Sequence, residues 1–289
     1  MATSKVLNWA KEYGWRHLIA LIFTTFAVYP ILFVATNSVA DFANLTNSKL
    51  IPDGFTLKHY KLLSNDPLVP YYKWLFNTYK VAIIAGFFNV FLGTLAAYAF
   101  SRLKFKGRRA SLLTLVIVQM FPSFLAFVAI YLLFFQISDV APFMGLGTHI
   151  GLILVYLGGS IGFNSWLIKG FMDTISPSLD EAAKVDGASS WQIFIKITVP
   201  MLYPFIGLAL LFRSIDAFKT FDIIYVLTSG GPGILTRTLN LYAFKHGIEF
   251  LSMGYAGSIA IVMLIITIVV AQIFLRKNKL LTPKETLKQ

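Results

Sequence analysis

An all-α integral membrane protein with about six transmembrane helices is the fold class that the sequence predicts, on three observations. Hydrophobic residues make up 57% of the 289 positions and charged residues only 13%, with a mean hydropathy of +0.71. A soluble domain is roughly a quarter charged, so too little polar surface remains here to cover a water-soluble body. Six stretches approach the roughly 20 apolar residues that a helix needs to cross the hydrocarbon core. The basic residues are then shared out among the loops with the bias of a membrane protein. Soluble enzymes, disordered chains and nucleic-acid-binding domains are disfavoured, and the net charge of +12 reads as basic loops facing anionic lipid. The absence of cysteine excludes disulfides, thiolate metal sites and a cysteine nucleophile.

The first predicted span, about Leu18–Thr36, follows a short basic segment, 1–17. Ser38-Val39-Ala40 behind it has the small-residue form of a cleavage site, but the preceding run is longer than a signal peptide's apolar core, so an uncleaved span is expected. A long loop, about 37–80, carries the turn signals Ile51-Pro52-Asp53-Gly54 and Asp66-Pro67. Spans two to four, about Val81–Phe100, Leu112–Ile137 and Ile150–Ile168, are too apolar all round to be surface helices. Span five, Met201–Leu211 with its flanks, is the weakest: Pro200 and Pro204 open it, while Arg213 and Asp216 close it and are spaced to pair. A second long loop, about 212–254, holds the tight turn Thr228-Ser229-Gly230-Gly231-Pro232-Gly233. Span six, about Tyr255–Leu275, leads to a basic tail, 277–289.

With both termini inside, the inner segments hold 16 of the 25 basic residues, and the short outer loop Ser138–His149 holds none. The other 9 lie in the two long outer loops, whose charges weigh little in orientation. The expected topology is N-in and C-in.

No engine is visible. No Gly-Lys dipeptide occurs, hence no P-loop and no ATPase in this chain. His17, His59, His149 and His246 are scattered without metal-ligand spacing. Gly158-Gly159-Ser160-Ile161-Gly162 matches the G-x-S-x-G nucleophile pattern, but that pattern needs a strand-to-helix elbow and here falls in an apolar span, where small residues serve helix packing. Neither a catalytic residue nor a metal site is expected. Spans two, three and six lack Asp, Glu, His, Lys and Arg, which disfavours a secondary transporter driven by ions.

The inner loop between spans four and five, 176–200, reads as two short helices around a turn. Ser178 with Glu181 predicts a capping box, and Asp180 and Glu181 suit the positive helix start. Asp186-Gly187 ends that helix, glycine being free to take positive φ. Ser189 with Gln192 predicts a second capping box, opening a helix that runs to Thr198 or Val199, and Pro200 then fits the first turn of span five. The elbow is expected to expose Ala182, Ala183, Val185, Trp191 and Phe194 between charges, a surface suited to a soluble partner.

Glu181-Ala182-Ala183, followed by Asp186, Gly187, Ile197 and Pro200, resembles the EAA loop of ABC importer permeases, and the form E-A-A-x-x-D-G-A…P is similar to the carbohydrate-uptake, maltose-type branch. The resemblance spans roughly 18–276. It implies that the elbow is a coupling helix seated in a cleft of a separate ATPase dimer, with Glu181 in polar contact, Gly187 permitting the bend, and Ala182, Ala183, Asp186, Trp191 and Pro200 as further ATPase-coupling residues. It also implies a second permease subunit, hetero- or homodimeric, and an external solute-binding protein that delivers sugar. ATP and Mg would be used by the ATPase, with no cofactor on this chain. The substrate implied is a malto-oligosaccharide-type sugar, with another polyol, glycerol phosphate or a monosaccharide as the alternative. Residues up to about Pro200 look most like the shorter permease type of maltose-family importers, whereas Asp216–Gly233 with Thr236 and Thr238 looks more like its partner type.

A sugar path needs hydrogen-bonding and aromatic side chains around a cavity. Gln119, Tyr131 and Gln136 in span three and Asn164 and Trp166 in span four are the candidates, with Pro122 bending span three. The competing reading has the amides joining helices and the aromatics anchoring at the interface.

Overall fold

The computed structural model describes residues 2–44, 46–65, 70–158 and 161–277, with side chains from Glu12 to Arg276. Asp66-Pro67, Ser160 and the end of the basic tail lie outside the described residues. Helices account for the fold, and among the described residues the β-structure is one isolated antiparallel bridge, Ala40 with Phe55. Among the described residues, five helices are long and apolar enough to cross a membrane: Glu12–Ser38, Tyr71–Arg102, Ser123–Val140, Ser190–Lys219 and Met253–Arg276. A sixth span results if His149–Gly158 and Ile161–Met172 are taken together. The all-α, multi-span expectation holds.

The chain divides into two compact units. The first combines residues up to Pro70 with Tyr242–Ile265. It contains α1 (Ala2–Ser38), α2 (Lys58–Asn65) and the start of the last helix. Backbone bonds from Thr56 N to Val39 O (2.7 Å) and from Asp41 N to Gly54 O (3.0 Å) close the loop that follows α1. Gly254 N donates to Ala43 O at 3.0 Å, and a Cβ on Gly254 would lie 2.7 Å from His59 Nε2, so the close approach requires glycine there. Burial holds the His59 ring below its ordinary pKa.

The second unit comprises Tyr71–Leu241 and the chain from Ile266 onward. Its elements are α3 (Tyr71–Arg102), α4 (Arg108–Gln119), α5 (Phe127–Val140), α6 (His149–Gly158), α7 (Ile161–Met172), α8 (Pro177–Val185), α9 (Ser190–Lys219) and α10 (Asp222–Thr228). At the centre is α3. Val90 and Ala97 from it meet Ile168 and Met172 of α7, Ile175, and Leu202 and Ala209 of α9 in one buried cluster. Lipid tails are as apolar as these side chains, so close packing and interhelical hydrogen bonds hold such helices together. Small residues make the approach close: a Cβ on Gly86 would lie 3.0 Å from Ser214 Oγ, and one on Gly93 would lie 3.2 Å from Asn164 Cβ.

Three predicted spans differ from their expected form, the fourth being divided between α6 and α7, which are bent by 53°. The third is broken rather than bent: α4 ends at Gln119, a 3₁₀ turn covers Ser123–Ala126, and α5 begins at Phe127. Pro122 has no N–H to continue the ladder and restricts the residue before it. The fifth does not open at Pro200; α9 runs without interruption from Ser190 to Lys219 and carries Pro200 and Pro204 inside it. The chain passes Pro200 by widening to a π-turn over Phe194–Thr198, where Val199 N–H reaches back to Phe194 O. That extra residue relieves the clash a proline ring makes with the carbonyl four positions earlier. Arg213 and Asp216 do not end the helix; they pair at 2.5 Å, as their spacing predicts, and Arg213 Nη2 also donates to Tyr156 O at 2.9 Å.

The turn at 228–233 is built around positive φ at Ser229, Gly230 and Gly233. Thr236, 1% exposed, donates to Gly231 O at 2.7 Å and meets Thr228 Oγ1 at 2.8 Å, which explains the threonine after the glycine run.

Candidate functional site

The elbow of 176–200 is ordered by its own sequence. The cap of α8 is Ser176, not Ser178: Ser176 Oγ accepts from Ser178 N, and Pro177 takes the first helical position, for which its fixed φ is pre-set. Asp180 lies in the first turn, where the helix dipole favours an anion. At the other end Ala188 N donates to Ala183 O (2.9 Å) and Gly187 N to Lys184 O (3.0 Å), the paired bonds of a Schellman motif. Gly187 sits at its left-handed position with φ +85. The expected second capping box is present in both directions: Ser189 N donates to Gln192 Oε1 at 2.8 Å and Gln192 N to Ser189 Oγ at 3.3 Å.

One face of this elbow is open. Glu181, Ala182, Lys184, Asp186 and Gly187 are exposed, Val185 is 88% exposed and Trp191 59%, while Ala183 is half-buried. Glu181 forms no ion pair among the described residues. Phe194 departs from expectation: it is 5% exposed, packed edge-on against Tyr98 with ring centroids 5.0 Å apart and stacked under Trp191 at 5.5 Å. The partner ring comes from α3, far away in sequence, and turns an apparent surface aromatic into a root for Trp191. Pro200 is exposed on α9, beyond the elbow proper.

The opposite face is fastened to the end of α3 by charge. Arg102 Nε lies 2.7 Å from Asp180 Oδ2, the two side chains being 9% and 8% exposed. Arg102 Nη2 donates to Ile175 O at 2.8 Å, and Ser101 Oγ donates to Asp173 Oδ1 at 2.6 Å. Burial would raise the Asp173 carboxyl, but hydrogen bonds from Lys169 and Ser101 outweigh it and hold the group below the ordinary carboxylate range. Neither Arg102 as a fastener nor Asp180 as its anchor was legible in the sequence, where they read as a loop charge and a helix-start acid.

The five path candidates sit in different surroundings among the described residues. Asn164 is 6% exposed, and its Nδ2 donates to Oδ1 of Asn89, which is fully buried on α3 and donates in turn to Leu157 O at 3.4 Å. Gln119 packs on Gly162, where a Cβ would lie 2.9 Å from its Nε2 and 2.8 Å from Leu115 O. Tyr131 and Trp166 are exposed, each beside a phenylalanine (Phe135 and Phe163, at 6.3 and 6.4 Å). Gln136 is exposed on α5. Asn89 was missed by the sequence reading, although a lone amide in span two is the same signal that singled out Asn164.

Comparison with known proteins fits this architecture. Residues 89–284 match the family described as binding-protein-dependent transport system inner membrane component. The chain is 35% identical over 264 residues to the maltose/maltodextrin transport system permease protein MalG of Vibrio vulnificus (strain YJ016), covering 88% of each. It is 34% identical over 244 residues to MalG of Escherichia coli (strain K12), covering 81% of this chain and 79% of that one. A match that leaves out little more than a tenth of the chain includes the segments on both sides of Pro200, so both resemble one permease type. Among solved structures, a chain of a bacterial ABC transporter involved in the import of the acidic polysaccharide alginate superposes with TM-score 0.77 at 18% identity, covering 98% of this chain and all of that one. A chain of the MetNI methionine ABC transporter, at TM-score 0.57 and 16% identity, covers 79% of this chain and all of that one. The protein is thus a multi-pass cytoplasmic-membrane protein, and the chain belongs to the family of binding-protein-dependent transport system inner membrane components, the permease subunits of ABC importers.

Proposed function

We propose that this chain is the permease subunit of an ATP-driven importer for a malto-oligosaccharide-type sugar. The supporting observation is its 34–35% identity to maltose/maltodextrin permeases over most of its length. In this reading the exposed face of the elbow, with Glu181 and Trp191 on it, docks a cytoplasmic ATPase dimer that uses ATP and Mg. A second permease subunit completes the pore, and a solute-binding protein delivers sugar to the outer loops. Both termini lie in the cytoplasm. Uptake of labelled maltotriose into proteoliposomes that hold the permease pair, the ATPase and the binding protein tests the whole assignment. Uptake should require all components and internal ATP, and transport that persists without the ATPase would replace this reading with a secondary transporter.

Two further results are expected. Single cysteines in the cysteine-free background should be labelled from outside intact cells at Asn44 and Gly231 but not at Arg108 or Lys184; external labelling at 184 would sink the topology. Glu181→Lys should cut the ATPase recovered with the purified permease by about tenfold or more, the scale of one lost charge-assisted contact. Undiminished recovery would remove the elbow as the dock.

A further inference from the structure

We propose that Arg102 is a positioning residue that locks the elbow to the end of α3, so that the two move as one body when the ATPase drives the elbow. The inference rests on the elbow being the ATPase dock and goes beyond it by naming the helix that receives the motion. Arg102 closes α3, and its single guanidinium grips the elbow twice: Nε at 2.7 Å from Asp180 Oδ2 within α8, and Nη2 on the Ile175 carbonyl, at 2.8 Å, in the turn that leads into α8. Its neighbour Ser101 holds Asp173, just past the end of α7, at 2.6 Å. The base of the elbow is thereby tied at successive points to one helix end, while Glu181, Val185 and Trp191 on the other face stay exposed.

The chemistry chosen for this link favours transmission over stability. Desolvating two charges consumes most of what their attraction returns, so an apolar pair of similar volume stabilises a protein as well or better. What the ion pair supplies is geometry. A planar guanidinium held to a carboxylate by charge and to a carbonyl by a hydrogen bond has a fixed orientation, whereas apolar surfaces slide on each other. Among the described residues no hydrogen-bond donor satisfies either carboxylate oxygen of Asp180, so the elbow's buried charge depends on its ion pair with Arg102. Displacement of the elbow therefore arrives at α3, which packs on both α7 and α9 and carries Asn89 at its fully buried face.

The test uses the assembled importer, with uptake of maltotriose per ATP hydrolysed as the readout. Arg102→Met with Asp180→Leu removes the charges but keeps the volume. This variant is expected to retain the ATPase and to hydrolyse ATP while uptake per ATP falls about tenfold, within the range by which single positions alter coupling. Arg102→Lys keeps the charge but not the fork, and is expected to lose uptake per ATP several-fold in complexes that assemble normally. Wild-type uptake per ATP in the double variant overturns the proposal; should the double variant fail to assemble, wild-type uptake per ATP in Arg102→Lys overturns it. Failure of the docking reading looks different, because Glu181→Lys would then leave ATPase recovery intact, whereas failure of the present proposal leaves Glu181→Lys defective and the Arg102 variants coupled.

Discussion

Gly187→Val is expected to abolish coupled uptake while leaving the permease inserted and folded. Gly187 holds φ +85 at the centre of the Schellman turn, and a Cβ built there meets no heavy atom within 4 Å. The penalty is therefore purely conformational. A left-handed backbone costs a non-glycine residue about 1–2 kcal/mol, with up to about 3 kcal/mol for strained positions of this kind. Against a typical stability of about 5–15 kcal/mol that does not unfold a domain. It is enough to reverse the local choice of turn, because Gly187 N→Lys184 O and Ala188 N→Ala183 O are the two bonds that define it. If the valine turn relaxes to negative φ, α8 and α9 diverge from a different corner and the docking face is lost. Gly187→Asn supplies the control, since asparagine tolerates the left-handed region and should preserve most uptake. Uptake and ATP hydrolysis measured in parallel read the result. A valine variant that transports like wild type would show that the bend carries no function.

What the sequence revealed of the elbow, and what it concealed, follows from the range of the interactions. The left-handed glycine and the Ser189–Gln192 box depend on residues within a turn of one another, and both stand where expected. The first cap slipped by two residues because Pro177 outranks Ser178 for the opening helical position. Phe194 was misplaced because its burial depends on Tyr98, a ring that no local pattern brings near. The Arg102–Asp180 pair was invisible for the same reason: each charge has a sufficient local explanation, one as part of a basic loop and one as a helix-start acid. Span existence was legible from apolar length alone. The continuity of α9 through Pro200 was not, since a π-turn is a response to the proline that the sequence does not announce.

Asn164→Ala is expected to cost stability and to leave uptake per folded molecule unchanged. The sequence offered two readings of this amide, one lining a sugar path and one joining helices, and the geometry favours the second. Its Nδ2 is committed to Asn89 Oδ1, its side chain is 6% exposed, and its Cβ stands 3.2 Å from where a Cβ on Gly93 would lie. An interhelical hydrogen bond in a membrane is worth about 0.6 kcal/mol on average and up to about 1.7 kcal/mol. The expected loss is thus about 0.6–1.7 kcal/mol, read as a lower Tm in detergent. Coupling between the two sites gives a sharper check. Asn89→Ala and Asn164→Ala each remove the same shared bond, so the double change should cost less than the sum of the single ones. Additive losses would mean that the amides are not partners. An Asn164→Ala permease of normal Tm that moves less sugar per folded molecule would instead return Asn164 to the substrate path.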